Sequence, residues 1–517
     1  MIKAVGLAIV ILALLLNVLF IGRDLPYITH PDEPRLVRGA MAMASADFNP
    51  HFFVYPSLWF YLLFLAQSLG LAFGYLLGLV KNFTDLMATA FIDQSYFFLV
   101  SRLASAFLGA AAVGLVWLMT KDFPFWGRLA ATLSLALFGP LINSSHFAIV
   151  DGPLTFFVTL ALFFYQRQSF YLGAAAAGLA TSIKYNGALV FLPLLFLLWQ
   201  QEKNMGEVIK KSLRLLLTAA LAFFITSPFV LLDLPTFLKD WQVIRQGTVA
   251  TGAAPDFLAY FKILFQNQGW LLPGLALLGF FNKRYRPWLI SLAFFALPYF
   301  LLLQAVDYKA ERFFLPLAPV LAIGLGSAIS FLSERARLAP LLLAVILIPS
   351  VLTVIALEKN FTIPTAPALA TEYLYSHLAP GSKIFIDNSS RLTLIPDRET
   401  VEARRQIWEK ETDSRSQQLF RAYGYYLKTP APARGYQLVP TVKTNVHSFN
   451  SGLDEINDYQ KERLTGVQYL VVAEEVLLAK GATPRALFYE YVRAQFKSWA
   501  AFDSPGQKIV ILKRNVQ

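Results

Sequence analysis

Apolar runs of about 20 residues, the length an α-helix needs to cross ~30 Å of hydrocarbon, recur from Ala4 to Leu357 and then stop. The pattern predicts twelve apolar segments, at 4–22, 57–80, 97–120, 126–143, 153–166, 170–183, 187–200, 213–232, 270–281, 288–305, 313–332 and 339–357. After Glu358 the pattern shortens. Lys383-Ile-Phe-Ile-Asp387, Gln468-Tyr-Leu-Val-Val472 and Lys508-Ile-Val-Ile-Leu512 read as strands. The stretches 365–378, 413–428 and 482–498 read as helices, and Ala379-Pro-Gly381 marks a turn between helix and strand. Two domains follow: an all-α polytopic membrane domain over 1–357 and a small α/β domain over 358–517.

Charge divides the chain at the same point. The first 357 residues hold 24 of the 45 Lys and Arg and 16 of the 33 Asp and Glu, so the remaining 160 are about twice as densely charged. Charged residues make up 15% of the chain, against about 25% for a soluble domain. The net charge of +12 is spread over loops rather than gathered into a basic, aromatic-interleaved stretch, so it fits topology and anionic lipid and excludes nucleic acid as a partner. No cysteine is present, which removes disulfides, thiolate catalysis and Cys-ligated zinc. The first segment lacks a small-residue cleavage site and is read as a retained helix, not a signal peptide.

Cations set the sides. Lys3, Lys121/Arg128, Arg167, Lys203/Lys210/Lys211, Lys283/Arg284/Arg286 and Arg335/Arg337 go to the cytoplasm. Only one crossing then fits between Pro56 and Lys121, and 57–80, with its Ser, Gln and Gly, is assigned to the outer leaflet as an interfacial or re-entrant helix. About eleven crossings remain in a cell-membrane protein with a cytoplasmic N-terminus and an extracytoplasmic tail. Asp32, Arg102, Asp151, Lys184, Asp307, Lys309 and Arg312 fall at the outer face.

Those residues are the candidate chemistry. Asp32 and Glu33, in His30-Pro-Asp-Glu-Pro34, place two carboxylates just outside a membrane helix, able to serve as a base or to pair with Arg35 or Arg38. Asp151 either joins them or caps the helix it opens, with Pro153 in the first turn. Arg102, Lys184, Lys309 and Arg312 are cations near span ends, where charge is expensive and needs a partner. Each alone would suit snorkelling; together they suit an anionic headgroup, since Arg grips phosphate through paired hydrogen bonds. His30, His51 and His146 flank the acids and, with Tyr55 and Tyr185, line the expected substrate groove. Zinc-like spacing is missing, so no metal site or required cofactor is assigned, with a divalent cation kept as an alternative.

The ordered set resembles the C superfamily of lipid-carrier-dependent glycosyltransferases (GT-C). This group includes the dolichyl-phosphate-mannose protein mannosyltransferases, the bacterial aminoarabinose transferases and, more distantly, the oligosaccharyltransferase catalytic subunit. The matching pieces are His30-Pro-Asp-Glu33, Tyr55-Pro-Ser-Leu58, Arg102-Leu-Ala-Ser-Ala-Phe-Leu-Gly109, Asp151-Gly-Pro-Leu-Thr-Phe-Phe157, Gly178-Leu-Ala-Thr-Ser-Ile-Lys-Tyr185 and Arg312-Phe-Phe-Leu-Pro-Leu-Ala-Pro319, with Ala379-Pro-Gly-Ser-Lys-Ile-Phe-Ile386 and Gly466-Val-Gln-Tyr-Leu-Val-Val472 in the tail. The resemblance implies an outward-facing site that takes a sugar from a polyprenyl phosphate and passes it to a lipid, glycan or protein acceptor. Asp32 would be its catalytic carboxylate, Asp151 the second acidic position and Arg102 a phosphate contact. Many relatives carry Pro-Pro-Leu where this chain has Pro56-Ser-Leu58, and the aminoarabinose transferases carry lysine at the place of Tyr55, so that phosphate contact must come from elsewhere. The competing reading is a transporter or flippase for an anionic lipid or lipid-linked sugar, which would also use intramembrane cations but predicts inverted repeats, none of which is found.

Overall fold

Inside a bilayer a lipid-facing backbone must satisfy its own hydrogen bonds, so apolar runs of this length fold as helices. A computed structural model describes residues 2–78, 93–249, 258–268, 271–306, 309–333, 339–392, 394–428, 434–440, 459–481, 483–504 and 507–515. Asp307 lies outside them. Among the described residues five helical runs are long and apolar enough to cross a membrane: Leu58–Leu76, Ser95–Met119, Arg286–Ala305, Glu311–Ser333 and Ala339–His377. A sixth is counted if the pair Phe125–Ala136 and Gly139–Ser145, bent by 48°, is one span. The first of the five is the segment assigned above to the outer leaflet.

Local sequence explains why several runs break into shorter helices. Proline disfavours helix at the residue before it and removes a donor, so 126–143 divides ahead of Gly139-Pro140. Likewise 213–232 ends its long helix, Met205–Thr226, at Ser227-Pro228 and resumes as Phe229–Leu232. The run 187–200 begins as a 3-10 turn, Tyr185–Val190, before Phe191–Gln201. Phe170–Ile183 forms over the expected residues, and Asp151–Gln166 starts two residues early.

The chain divides into two compact units. One contains Met1–Ile21, Phe52–Leu63 and Ser101–Asn360; the other contains Gly22–His51, Phe64–Val100 and Phe361–Gln517. In the first, small residues let helices approach closely. A Cβ added at Gly178 would lie 2.1 Å from the Ala219 carbonyl oxygen, so Phe170–Ile183 meets Met205–Thr226 at a spacing only glycine permits. Large apolar side chains such as Leu7, Leu217, Ile225, Leu301 and Leu352 stay exposed on these helices. Contiguous apolar surface of that kind needs lipid, and the protein is a multi-pass membrane protein.

In the second unit the tail forms a five-stranded sheet: β1 (Lys383–Ile386), β2 (Gln437–Pro440), β3 (Tyr469–Ala473), β4 (Phe496–Ser504) and β5 (Gln507–Arg514). Their order is β2-β1-β3-β5-β4. β1 runs parallel to β2 and β3, while β5 is antiparallel to β3 and β4. Three strands and the helices Ala366–His377 and Ser414–Lys428 lie where the pattern predicts them, and Pro484–Gln495 stops three residues short of its predicted end, where β4 begins. β2, β4 and the helix Arg398–Glu409 do not follow from the pattern. β4 is an edge strand whose first residue alone is fully buried, so it carries little of the apolar alternation by which strands are read. After β1 the buried Asp387 accepts hydrogen bonds from the Ser389 amide at 2.8 Å and from the Tyr489 hydroxyl, fastening Pro484–Gln495 to the sheet.

Candidate functional site

Asp151 opens the helix Asp151–Gln166, where the positive end of the helix dipole favours an anion. It does not act as the cap, because Val150 holds that position. Its carboxylate is 2% exposed and meets two cations. Lys184 Nζ lies 2.8 Å from Oδ1 and Arg312 Nε lies 3.6 Å from Oδ2. The helix Phe170–Ile183 ends just before Lys184, which takes an extended backbone and turns the chain into the 3-10 stretch Tyr185–Val190. Arg312 arrives on a second 3-10 stretch, Glu311–Leu317, which is tied down by Asn143 Nδ2 donating to Glu311 Oε1 at 3.1 Å. Residues far apart in the chain thus become one buried carboxylate holding two cations side by side. Aromatic faces complete the surround: Lys184 Nζ is 4.5 Å from the Phe313 ring centroid and 6.0 Å from that of Tyr55.

The other two expected phosphate contacts bond backbone carbonyls at, or just beyond, the end of a helix, where intrahelical partners are lacking. Arg102, 1% exposed within Ser95–Met119, donates from Nη1 to the Ile21 carbonyl at 2.9 Å and lies over Phe147. His146 places Nε2 2.6 Å from the Leu19 carbonyl and Nδ1 2.8 Å from that of Ile142. Both side chains therefore secure the exit of the first helix. Lys309 donates to the carbonyls of Leu303 and Gln304, at 2.8 and 2.9 Å, and to that of Val306, closing the end of Arg286–Ala305. Tyr185 donates its hydroxyl to the Phe53 carbonyl at 2.9 Å.

The first-loop residues belong to the second unit. Asp32 stands at the N-cap of Glu33–Ala42, and its side chain makes no cap hydrogen bond. His30 does that work: its Nδ1 accepts from the backbone amides of Asp32 and Glu33, at 3.2 and 3.3 Å. Glu33 is fully buried, whereas Asp32 is half-buried. His51, at a left-handed φ of 49°, closes a turn in which its Nε2 meets Asp47 Oδ2 at 2.9 Å and its Nδ1 meets Asn49 Nδ2 at 3.1 Å. Among the described residues no three His, Asp or Glu side chains gather as metal ligands.

The pattern of the sequence did not point to two further groups. Asp240, 2% exposed, accepts the Phe53 amide at 2.6 Å and so fixes the chain two residues before Tyr55. The only signal is a lone acid between Leu238 and Trp241. Arg415, in the tail, is 4% exposed, with Nε 2.9 Å from Asp47 Oδ2. Burial alone would raise the Asp47 pKa, but the His51 hydrogen bond and the Arg415 charge outweigh it and hold the carboxyl below its ordinary value. This pairing contributes stability above the ordinary carboxylate range, and the contribution disappears as pH falls through the lowered pKa. Asp47→Asn is expected to cost about 1 kcal/mol at pH 7 and progressively less below about pH 4, read as the variant's thermal midpoint against wild type across pH. A constant difference down to pH 2 would contradict it.

No family model matches the chain. Among solved structures, ArnT from Cupriavidus metallidurans bound to undecaprenyl phosphate superposes with a TM-score of 0.54 at 14% identity, covering 98% of this chain and 97% of that one. The same enzyme in the apo state gives 0.53 at 15% identity, over 99% and 98% of the two chains. The chain shares the fold of ArnT. In sequence, dolichyl-phosphate-mannose–protein mannosyltransferase 1 of Saccharomyces cerevisiae is 24% identical over 182 residues, 32% of this chain. That match spans 22% of the yeast protein's length.

Proposed function

We propose that the protein is an integral-membrane glycosyltransferase that moves a sugar from a polyprenyl-phosphate donor to an acceptor hydroxyl at the extracytoplasmic face. The observation that carries this reading is Asp151 holding Lys184 and Arg312 together at one end of its helix. A buried carboxylate that orients two cations prepares a place for a phosphoester whose charge grows as the bond to the sugar breaks. The GT-C fold supports the donor class, because ArnT, which shares the fold, binds undecaprenyl phosphate. The topology that goes with it keeps eleven crossings, a cytoplasmic N-terminus and an outward tail.

In the proposed step the acceptor oxygen attacks the anomeric carbon and forms the new C–O bond, and Asp32 takes the hydroxyl proton. The bond from the anomeric carbon to the phosphate oxygen breaks on the opposite side, and its electron pair leaves with the polyprenyl phosphate. The anomeric centre inverts. Lys184 and Arg312 offset the charge on the departing phosphate, with Arg102 and Lys309 holding the helix ends around it.

Proteoliposomes containing the full chain and a panel of polyprenyl-phosphate sugars, on both undecaprenyl and dolichyl carriers, test the reading. Polyprenyl phosphate, measured by mass spectrometry, should be released together with a glycosylated product. Donor that crosses the bilayer intact, with no release from any member of the panel, would overturn the proposal and establish the transporter.

A further inference from the structure

The mechanism leaves one deeply buried cation without a role. Arg415 lies in the first turn of the tail helix Ser414–Lys428, and removing a guanidinium from water costs several kcal/mol unless it is well paired. It meets one turn of the first loop through three contacts. Nε is 2.9 Å from Asp47 Oδ2, and Nη2 donates to the Asp47 carbonyl at 3.1 Å and to the Asn49 carbonyl. The turn is also bonded internally: Asp47 Oδ1 accepts the Asn49 amide at 3.0 Å, and Asn49 Oδ1 accepts the His51 amide at 3.0 Å. Both nitrogens of His51 are engaged by Asp47 and Asn49, so the imidazole serves the turn. Four residues along the chain from His51 stands Tyr55, whose ring faces Lys184.

We propose that Arg415 is a positioning residue that clamps the turn from Asp47 to His51 and so sets the path of the chain leading to Tyr55 and the donor-phosphate cations. Arg415 thereby acts on the transfer step through the turn it holds. The catalytic half of this inference rests on the proposed glycosyl transfer; the clamp itself does not. A guanidinium suits this place because one planar group pairs with a carboxylate and donates to two carbonyls, which a lysine ammonium on a flexible stem reproduces poorly.

The test uses the full chain in proteoliposomes with Arg415→Ala, Arg415→Lys, Asp47→Asn and the double variant Arg415→Ala/Asp47→Asn. Hydrogen exchange should rise roughly tenfold or more at the Asn49 and His51 amides in Arg415→Ala, with β1 and β3 unchanged. Turnover should fall roughly 10- to 100-fold, the scale of a small misplacement near the reacting atoms, mainly in kcat rather than KM. Arg415→Lys should recover only part of it, and the double variant should be no worse than the poorer single one. Unchanged exchange at the turn in both Arg415→Ala and Asp47→Asn would remove the clamp. A loosened turn with wild-type kcat would keep the clamp and end its positioning role. If exchange rises but wild type itself transfers no sugar, the clamp stands and the functional reading fails.

Discussion

Asp32→Asn should reduce sugar transfer by about 10² to 10⁴ while the helix it opens keeps its N-terminal cap, because that cap is supplied by His30. A helix-opening aspartate usually bonds an amide of the first turn, and replacing it then damages structure and activity together. Here His30 accepts the Asp32 and Glu33 amides, and the Asp32 side chain makes no cap bond. Asparagine keeps the shape and the polarity but cannot take a proton from an acceptor hydroxyl, so the loss should appear in kcat and far exceed what any change in the thermal midpoint accounts for. Glu33→Gln supplies the contrast. Glu33 is fully buried, and changing a buried group disturbs whatever surrounds it, so this variant should lose stability as well as rate. Transfer measured at equal protein, alongside thermal midpoints of both variants, decides the matter. Near-normal turnover in Asp32→Asn would remove Asp32 as the base.

Local pattern made much of the frame legible and little of its wiring. Phe170–Ile183 and three tail strands follow from runs of side chains a few residues long, which is the range over which periodicity speaks. Breaks at Gly139-Pro140 and Ser227-Pro228 were also written locally, but an apolar run averages over them and counts one segment where the chain bends. The cations illustrate the harder case. Arg102, Lys184, Lys309 and Arg312 look alike in sequence, each a charge at the end of a greasy helix. Arg102 and Lys309 face helix-end carbonyls, whereas Lys184 and Arg312 share Asp151. What separates them is which backbone or side chain is brought opposite, 81 residues away for Arg102 and 33 for Lys184. Arg415 was beyond reach for the same reason: its partners lie 368 and 366 residues earlier, in a stretch of unremarkable polar sequence.

Asp151 gives the second large effect, and here structure and chemistry must be separated. Asp151→Ala leaves Lys184 and Arg312 facing each other with their common partner gone, their side chains 16% and 22% exposed. Breaking a buried ion pair by removing one member costs about 3 to 5 kcal/mol, and the partial exposure of both cations argues for the lower end, about 3. Stability and transfer should therefore both fall in the single variant, which by itself says nothing about phosphate. The informative partner is Asp151→Asn/Lys184→Met, which removes one charge of each sign and leaves Arg312 beside a neutral amide. If the cluster only braces the helices, this double variant should regain most of the lost thermal midpoint and also its activity. If the cations hold the departing phosphate, the midpoint returns but turnover stays low, because a methionine cannot offset charge growing on the leaving group. The second outcome is the expected one, and recovery of transfer together with stability would strip Lys184 of any part in the reaction.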